Sequence, residues 1–222
     1  MQADADKEDA MYTLYARPGW GSALTEAQLA AYGLPCRIID VDSPFTSAEV
    51  RALLAPLNPL AQLPTLVLPD GTVMTESAAI TLHLADATGS DRFVPAPASP
   101  HRPAFLRWLI FLVANLYPTF TYADLPERFV DDRAAQPAFR ANVDAYAQRL
   151  WRIVEAAAGT PHFLGEPPSA LDLYIAVMTR WRPNRPWFAE HTPKLTAIAL
   201  ATESHPEFAA VWARNFAKES LW

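Results

Sequence analysis

Two short stretches hold the residues best placed to do chemistry. In Gln62-Leu63-Pro64-Thr65 the proline has no N–H to give to a sheet ladder, so the backbone of Leu63 stays open to pairing with something other than the protein's own strands. In Glu76-Ser77 a hydroxyl, an acidic side chain and exposed N–H groups meet at an expected helix start, whose positive dipole end favours a carboxylate. An extended backbone edge beside such a helix start suits a peptide-like ligand with a free α-carboxyl group. Each element alone is ordinary, since proline at an edge strand and serine at an N-cap are common. The combination carries the signal.

The elements that must position these residues follow from periodicity and punctuation. Met11 to Ala16 alternates at strand spacing and ends in the turn Arg17-Pro18-Gly19. Ser22 to Tyr32 reads as a helix stopped by Gly33 with Pro35 beyond it, and Arg37 to Val41 as a β-branched strand. Thr46 to Glu49 has capping-box spacing and opens a short helix through Leu54. Thr65 to Leu68 and Thr72 to Thr75 flank Pro69-Asp70-Gly71 as an antiparallel hairpin, and Ser77 to Ala87 follows as a helix. This order is a thioredoxin-like α/β arrangement with a right-handed crossover between the first two strands.

Residues 1–10 are acidic and aperiodic and read as a mobile tail, so the first domain spans 11–88. The stretch 89–103, with Pro95, Pro97, Pro100 and Pro103 among small polar residues, reads as a linker. Beyond it, 104–222 carries helical periods at about 104–117, 137–157, 170–181, 194–203 and 206–217. The expected fold class is therefore α/β plus all-α, a thioredoxin-like N-terminal domain followed by an all-helical C-terminal domain.

Composition narrows the function classes. With 51% apolar and 19% charged residues, the 222-residue chain is globular. Its 24 acidic against 18 basic side chains, net charge -6, argue against a nucleic-acid surface. No apolar run of about 18 residues is expected to span a membrane, and the acidic N-terminus is unlike a signal peptide, so the expected location is cytoplasmic. Cys36 is the single cysteine, which rules out an internal disulfide or a cysteine-rich metal site. No two histidines share metal-ligand spacing, and no metal is expected.

Met11-Tyr12-Thr13-Leu14-Tyr15, Asn58-Pro59, Gln62-Leu63-Pro64-Thr65 and Glu76-Ser77 resemble the glutathione-binding half of cytosolic glutathione transferases, and Ser169-Ala170-Leu171-Asp172 resembles the capping box of that family's helical domain. The resemblance runs over roughly residues 11–220. It implies a detoxification-type, homodimeric transferase with glutathione as co-substrate and a hydrophobic electrophile as second substrate. It further implies a cis Leu63-Pro64 bond, backbone pairing of Leu63 with the cysteinyl part of glutathione, and Glu76 and Ser77 on the γ-glutamyl end. Gln62 stands where some classes carry a lysine near the glycyl carboxylate.

The loop Pro18-Gly19-Trp20-Gly21-Ser22 is where such an enzyme activates the thiol. A hydroxyl at a helix start can donate to a thiolate, and Ser22 is the candidate; its other reading is a plain N-cap. The position matching the cysteine of cysteine-using classes is Gly21, so thiol–disulfide chemistry at the loop is not expected, and Tyr12 and Tyr15 lie inside a strand as core residues. Trp20, Phe111, Asn115, Tyr117 and Trp181 are candidates for the electrophile pocket. Cys36 reads as a small buried hydrophobe, and Asp172 as the N3 partner of Ser169 rather than a catalytic acid. Two rival readings share the fold: a non-enzymatic binding or regulatory protein, distinguished by glutathione affinity without turnover, and a glutathione-dependent isomerase or dehalogenase, distinguished by its second substrate.

Overall fold

The computed structural model describes residues 11–217; the expected N-terminal tail lies outside the described residues. The chain divides into two compact units, one made of the residues up to Ser90 together with those from Glu203 on, the other of Asp91–Thr202. The break at Ser90 falls inside the stretch expected as a linker. The residues from Glu203 on, expected in the helical domain, group instead with the N-terminal unit.

The first unit is built on a four-stranded sheet of order β2-β1-β3-β4, with β1 (Tyr12–Ala16), β2 (Cys36–Asp40), β3 (Thr65–Val67) and β4 (Val73–Met74). The strands β1 and β2 pair in parallel across helix α1 (Ser22–Ala31), while β3 runs antiparallel to both β1 and β4. Helix α2 (Ala48–Leu54) and helix α3 (Ser77–Thr88) complete the pattern. Ser47 caps α2 by accepting the Val50 N–H, one residue later than the expected Thr46. At the hairpin, Gly71 adopts φ +86°, a conformation open to glycine, and the Asp70 carboxylate accepts the Thr72 N–H at 2.8 Å.

The alternation in β1 explains its place between two layers. Tyr12, Leu14 and Ala16 face a core with Leu29, Leu66, Ile80 and Leu84, whereas Tyr15 faces a second cluster with Val50, Leu54 and Ala61. Both strand tyrosines thus pack as core residues. The C-terminal stretch of this unit supplies helix 3-10 residues Pro206–Phe208 and an α-helix, Ala209–Phe216, named α10 below.

The second unit is all-helical: α4 (Arg102–Phe111), a π-helical segment (Leu112–Leu116), α5 (Tyr117–Asp124), α6 (Gln136–Ala157), α7 (Ala170–Met178), α8 (Arg185–His191) and α9 (Pro193–Ser204). Every residue of α7, Tyr174 included, is buried, which makes it the centre of the unit, and Phe105 of α4, Trp151 of α6 and Phe188 of α8 are fully buried as well, Trp151 and Phe188 meeting edge-on at 5.0 Å. The helix expected to end at Tyr117 continues to Asp124. Tyr117 donates its N–H to Leu112 O, a five-residue step that inserts one residue ahead of Pro118 and lets the helix pass the missing N–H. Helix α8 has no counterpart among the sequence-based elements. By length and composition the continuous run Arg102–Asp124, 23 residues long, is apolar enough to cross a membrane, so the expectation of no such run is corrected. Phe105, Leu109, Leu112 and Leu116 bury one face of it, the pattern of a helix on a globular core.

Candidate functional site

Strand direction brings the candidate residues of the first unit to one end of the sheet. Tyr15 pairs with Thr65, so the C-terminal end of β1 lies beside the N-terminal end of β3, and Leu66 pairs with Met74, so the C-terminal end of β4 reaches the same side. The loop Arg17–Gly21 leaves β1 there, Leu63-Pro64 enters β3 there, and Glu76-Ser77 leaves β4 there. Residues that are scattered in sequence converge because β1 and β3 are antiparallel.

The Leu63-Pro64 bond is cis. Among the described residues neither backbone polar group of the half-buried Leu63 has a partner, while Thr65, two positions on, is already paired to β1. The loop that presents this edge is held by Asn58, which is 4% exposed. Its Nδ2 donates to Gln62 O at 3.0 Å and to Thr65 Oγ1 at 3.2 Å, its Oδ1 accepts the Leu60 N–H, and its own carbonyl accepts the Ala61 N–H at 2.7 Å. Ala61 sits at φ +50°, a left-handed conformation sustained by these bonds. Asn58→Ala is expected to destabilise the protein by about 1–3 kcal/mol, the cost of leaving buried polar groups unpaired. A urea midpoint measures it; an unchanged midpoint would mean the loop keeps its shape without the asparagine. The half-buried Gln62 follows the edge through its backbone, as its carbonyl accepts both Asn58 Nδ2 and Thr65 Oγ1.

Glu76 caps α3 at φ +63°, ψ +103°. A non-glycine residue in that region costs about 1–3 kcal/mol and persists where its surroundings or its function require it. Glu76 is exposed, and among the described residues the Ser77 hydroxyl and N–H have no partner, so both are open to one from outside the protein. Behind this start lies a buried relay: Thr81 Oγ1 donates to Ser77 O at 2.9 Å, Gln28 Nε2 donates to Thr81 Oγ1 at 3.0 Å and to Leu24 O at 3.2 Å. The relay locks the first turns of α3 and α1 together.

At α1 the N-cap is Gly21, and Ser22 is the first helical residue, wholly buried. Its hydroxyl is turned to the loop's own backbone, accepting the Arg17 N–H and donating to Arg17 O, each at 3.1 Å. A hydroxyl has one proton, so the expected donation to a sulfur is not made in this arrangement. The Gly21 and Ser22 N–H groups, by contrast, meet no acceptor among the described residues and are the donors that α1 offers a ligand. Trp20 is half-buried, stacked at 5.3 Å on Phe45 with the Arg17 guanidinium 5.5 Å from its ring centre, and Arg17 pairs with Asp42 at 3.3 Å.

A family model described as the glutathione S-transferase N-terminal domain matches residues 26–87. An uncharacterised GST-like protein from Escherichia coli K12, YncG, is 36% identical over 206 residues, 92% of this chain and 98% of that protein. The chain belongs to the glutathione transferase family. Glutathione S-transferase GstA of Escherichia coli O157:H7 is 29% identical over 76% of this chain and 81% of its own. A Sulfitobacter glutathione transferase homologue, solved with bound glutathione, shares the fold at TM-score 0.81 and 24% identity, covering 91% of this chain and 97% of that one. The thioredoxin-like sheet with a helical C-terminal region is the architecture expected from the sequence.

In the helical unit of this family member the remaining candidates separate. Tyr117 and Trp181 meet edge-on at 5.6 Å, with Phe120 against Trp181 at 5.1 Å, so two of the expected pocket residues form one aromatic cluster. Phe111 packs on Trp108 instead, and Asn115 lies in the π-helical segment with its amide on Phe111 O. Asp172 is 2% exposed and completes the capping box with Ser169, as expected. Cys36 is half-buried rather than the buried hydrophobe expected, and partial burial pushes its thiol up to about 11, which keeps it protonated near neutral pH. Among the described residues no group of three His, Cys, Asp or Glu side chains is placed to hold a metal ion. Gln28, Thr81 and Asn215 are the supporting residues the sequence did not single out; Asn58 entered only through Asn58-Pro59 in the family resemblance, without a role.

Proposed function

We propose that this chain is a glutathione transferase that binds glutathione at the sheet end described above and uses it to attack a hydrophobic electrophile. The convergence of an unpaired Leu63 backbone with two open helix starts supports the reading, because glutathione presents matching groups in the same order. The γ-glutamyl carboxylate takes the Ser77 hydroxyl and N–H, and its ammonium takes the Glu76 carboxylate. The cysteinyl backbone pairs with Leu63, in the manner of an added strand. The thiol comes to α1, where the Gly21 and Ser22 N–H groups and the helix dipole favour the thiolate. A thiol of pKa about 8.5 is a few per cent ionised at neutrality; lowering it by two units, about 2.7 kcal/mol, makes thiolate the main form.

Once the thiol proton has passed to solvent, the sulfur lone pair forms the bond to the electrophilic carbon, and the leaving group departs with its electrons. The protein supplies orientation and electrostatics rather than a covalent nucleophile. Tyr117 and Trp181 are the proposed contacts of the apolar electrophile, and a homodimer in the cytoplasm is the proposed state. Ser22 acts through the loop it closes: Ser22→Ala is expected to lower turnover ten- to a hundredfold, on the order of 1.4–2.7 kcal/mol, with glutathione affinity nearly unchanged. Full turnover in that variant would reduce Ser22 to a packing role.

The decisive experiment pairs calorimetric titration with glutathione and a panel of electrophiles scored by thiol consumption. Binding with turnover is the expected result. Binding without turnover of any electrophile would make the chain a glutathione-binding protein on a transferase fold, and absence of binding would overturn the reading.

A further inference from the structure

The loop that opens α1 is anchored from a part of the chain nearly two hundred residues away. Asn215, on α10 and 2% exposed, accepts the Gly19 N–H on its side-chain oxygen at 3.2 Å. Its Nδ2 donates to Glu26 Oε2 at 3.0 Å and to Val211 O at 3.0 Å. Only this orientation of the amide serves a backbone donor on one side and a carboxylate on the other. Glu26, 7% exposed on α1, receives Arg214 Nε on its second oxygen at 2.9 Å, and Arg214 Nη1 reaches the Asp40 carboxylate at the end of β2 at 3.0 Å. Gly19 stands at φ +80°; within the loop the Trp20 N–H and the Ser22 hydroxyl both donate to Arg17 O, and outside it Arg17 pairs with Asp42 and Trp20 packs on Phe45.

We propose that Asn215 is a positioning residue for thiol activation: it pins Gly19, and thereby fixes the direction in which the Gly21 and Ser22 N–H groups point. This rests on the reading that α1 receives the glutathione sulfur. Glu26 orients the asparagine, and Arg214 neutralises Glu26 so that no unpaired carboxylate lies under the helix start. A loop released from Asn215 still closes on itself through Ser22, but its two open donors lose their aim, and a misaligned hydrogen bond to an anion weakens steeply.

The test is the ionisation of glutathione bound to the full-length protein, read from the ultraviolet absorbance of the thiolate as pH is varied, together with calorimetric affinity and thermal stability. Asn215→Ala is expected to raise the pKa of the bound thiol by about one unit, which leaves about tenfold less thiolate well below that pKa. Affinity should hardly change, because Leu63, Glu76 and Ser77 are untouched. Glu26→Gln keeps an acceptor for the asparagine but weakens the Arg214 pair; it is expected to lower thermal stability with little effect on the thiol. Should Asn215→Ala fail to fold, the near-isosteric Asn215→Leu, which fills the same space without an acceptor for the Gly19 N–H and without added charge, is titrated instead and is also expected to raise the thiol pKa. Wild-type protein that forms a thiolate, with asparagine variants titrating identically or shifting no more than Glu26→Gln, overturns the inference. Wild-type protein that forms no thiolate at all overturns the functional reading beneath it.

Discussion

Asp172→Ala is expected to destabilise the protein by about 3–5 kcal/mol while leaving the turnover of correctly folded molecules unchanged. Asp172 is 2% exposed and is used three times over: it accepts the Ser169 N–H at 2.7 Å, the Phe163 N–H at 2.8 Å and the Ser169 hydroxyl at 3.3 Å. The first and third bonds cap α7, the helix at the centre of the helical unit, and the second ties the preceding loop to its start. Alanine leaves both N–H groups buried without acceptors, a larger loss than an exposed cap would bring. Urea midpoint and turnover per folded molecule, measured on one preparation, check both halves. A variant with an unchanged midpoint and no turnover would place chemistry at Asp172.

The same carboxyl gives a pH signature. Burial pushes it above its ordinary value of 3.8, more strongly than its N–H donors and the His162 side chain, 3.8 Å away, pull it down. A group whose folded pKa is raised binds its proton more tightly in the native state, so its contribution to stability is greatest at low pH and falls as pH rises through the window from 3.8 to the raised value. Asp172→Asn does not titrate. The stability gap between wild type and Asp172→Asn should therefore narrow as pH rises through that window, and a gap that widens would show the carboxyl to be depressed instead.

The second large effect is on binding. Glu76→Ala and Ser77→Ala are each expected to weaken glutathione affinity by roughly ten- to a hundredfold, because a charge-assisted hydrogen bond lost at a ligand's carboxylate or ammonium costs about 1.5–3 kcal/mol. Turnover at saturating glutathione should change little, since both residues meet the end of the ligand remote from its sulfur. The backbone of Glu76 allows a sharper test. At φ +63° the residue is strained, and glycine adopts that conformation without penalty. Glu76→Gly is expected to gain about 1 kcal/mol of stability while losing the same affinity as Glu76→Ala. Calorimetry and a urea midpoint on the three variants separate the roles. Equal binding by all of them would reduce this helix start to a cap and remove the main support for glutathione as ligand.

Short-range patterns in this chain were legible because their physics is short-range. The Asp70-Gly71 hairpin, the Ser169 to Asp172 capping box and the alternation of Tyr12, Leu14 and Ala16 each depend on residues within a few positions of one another, and all three form as expected. Legibility failed where a local rule met a competing one. Pro118 reads as a helix end, yet a single five-residue turn carries the helix past it. Ser22 reads as a donor at a helix start, yet its hydroxyl lies wholly buried on the Arg17 backbone. Which way a side chain turns is set by what surrounds it, and composition does not record that.

By itself the sequence determined the thioredoxin-like order of elements, through periodicity, capping and turn chemistry that act along the chain, and its motifs carried the resemblance to the family. It also marked Leu63, Ser77 and the start of α1 as candidate positions, because proline chemistry and helix starts leave their backbone groups open. Only the tertiary structure decided that the three positions meet, because the antiparallel pairing of β1 with β3 and of β3 with β4 places their loops at one end of the sheet. It alone also decided what holds the first of those loops: Asn215 and Gly19 are 196 residues apart, and their hydrogen bond exists only once α10 has packed on the N-terminal unit. A bond of that span has no local pattern to announce it, since its cost in chain entropy is met by the burial of the whole helix rather than by either residue.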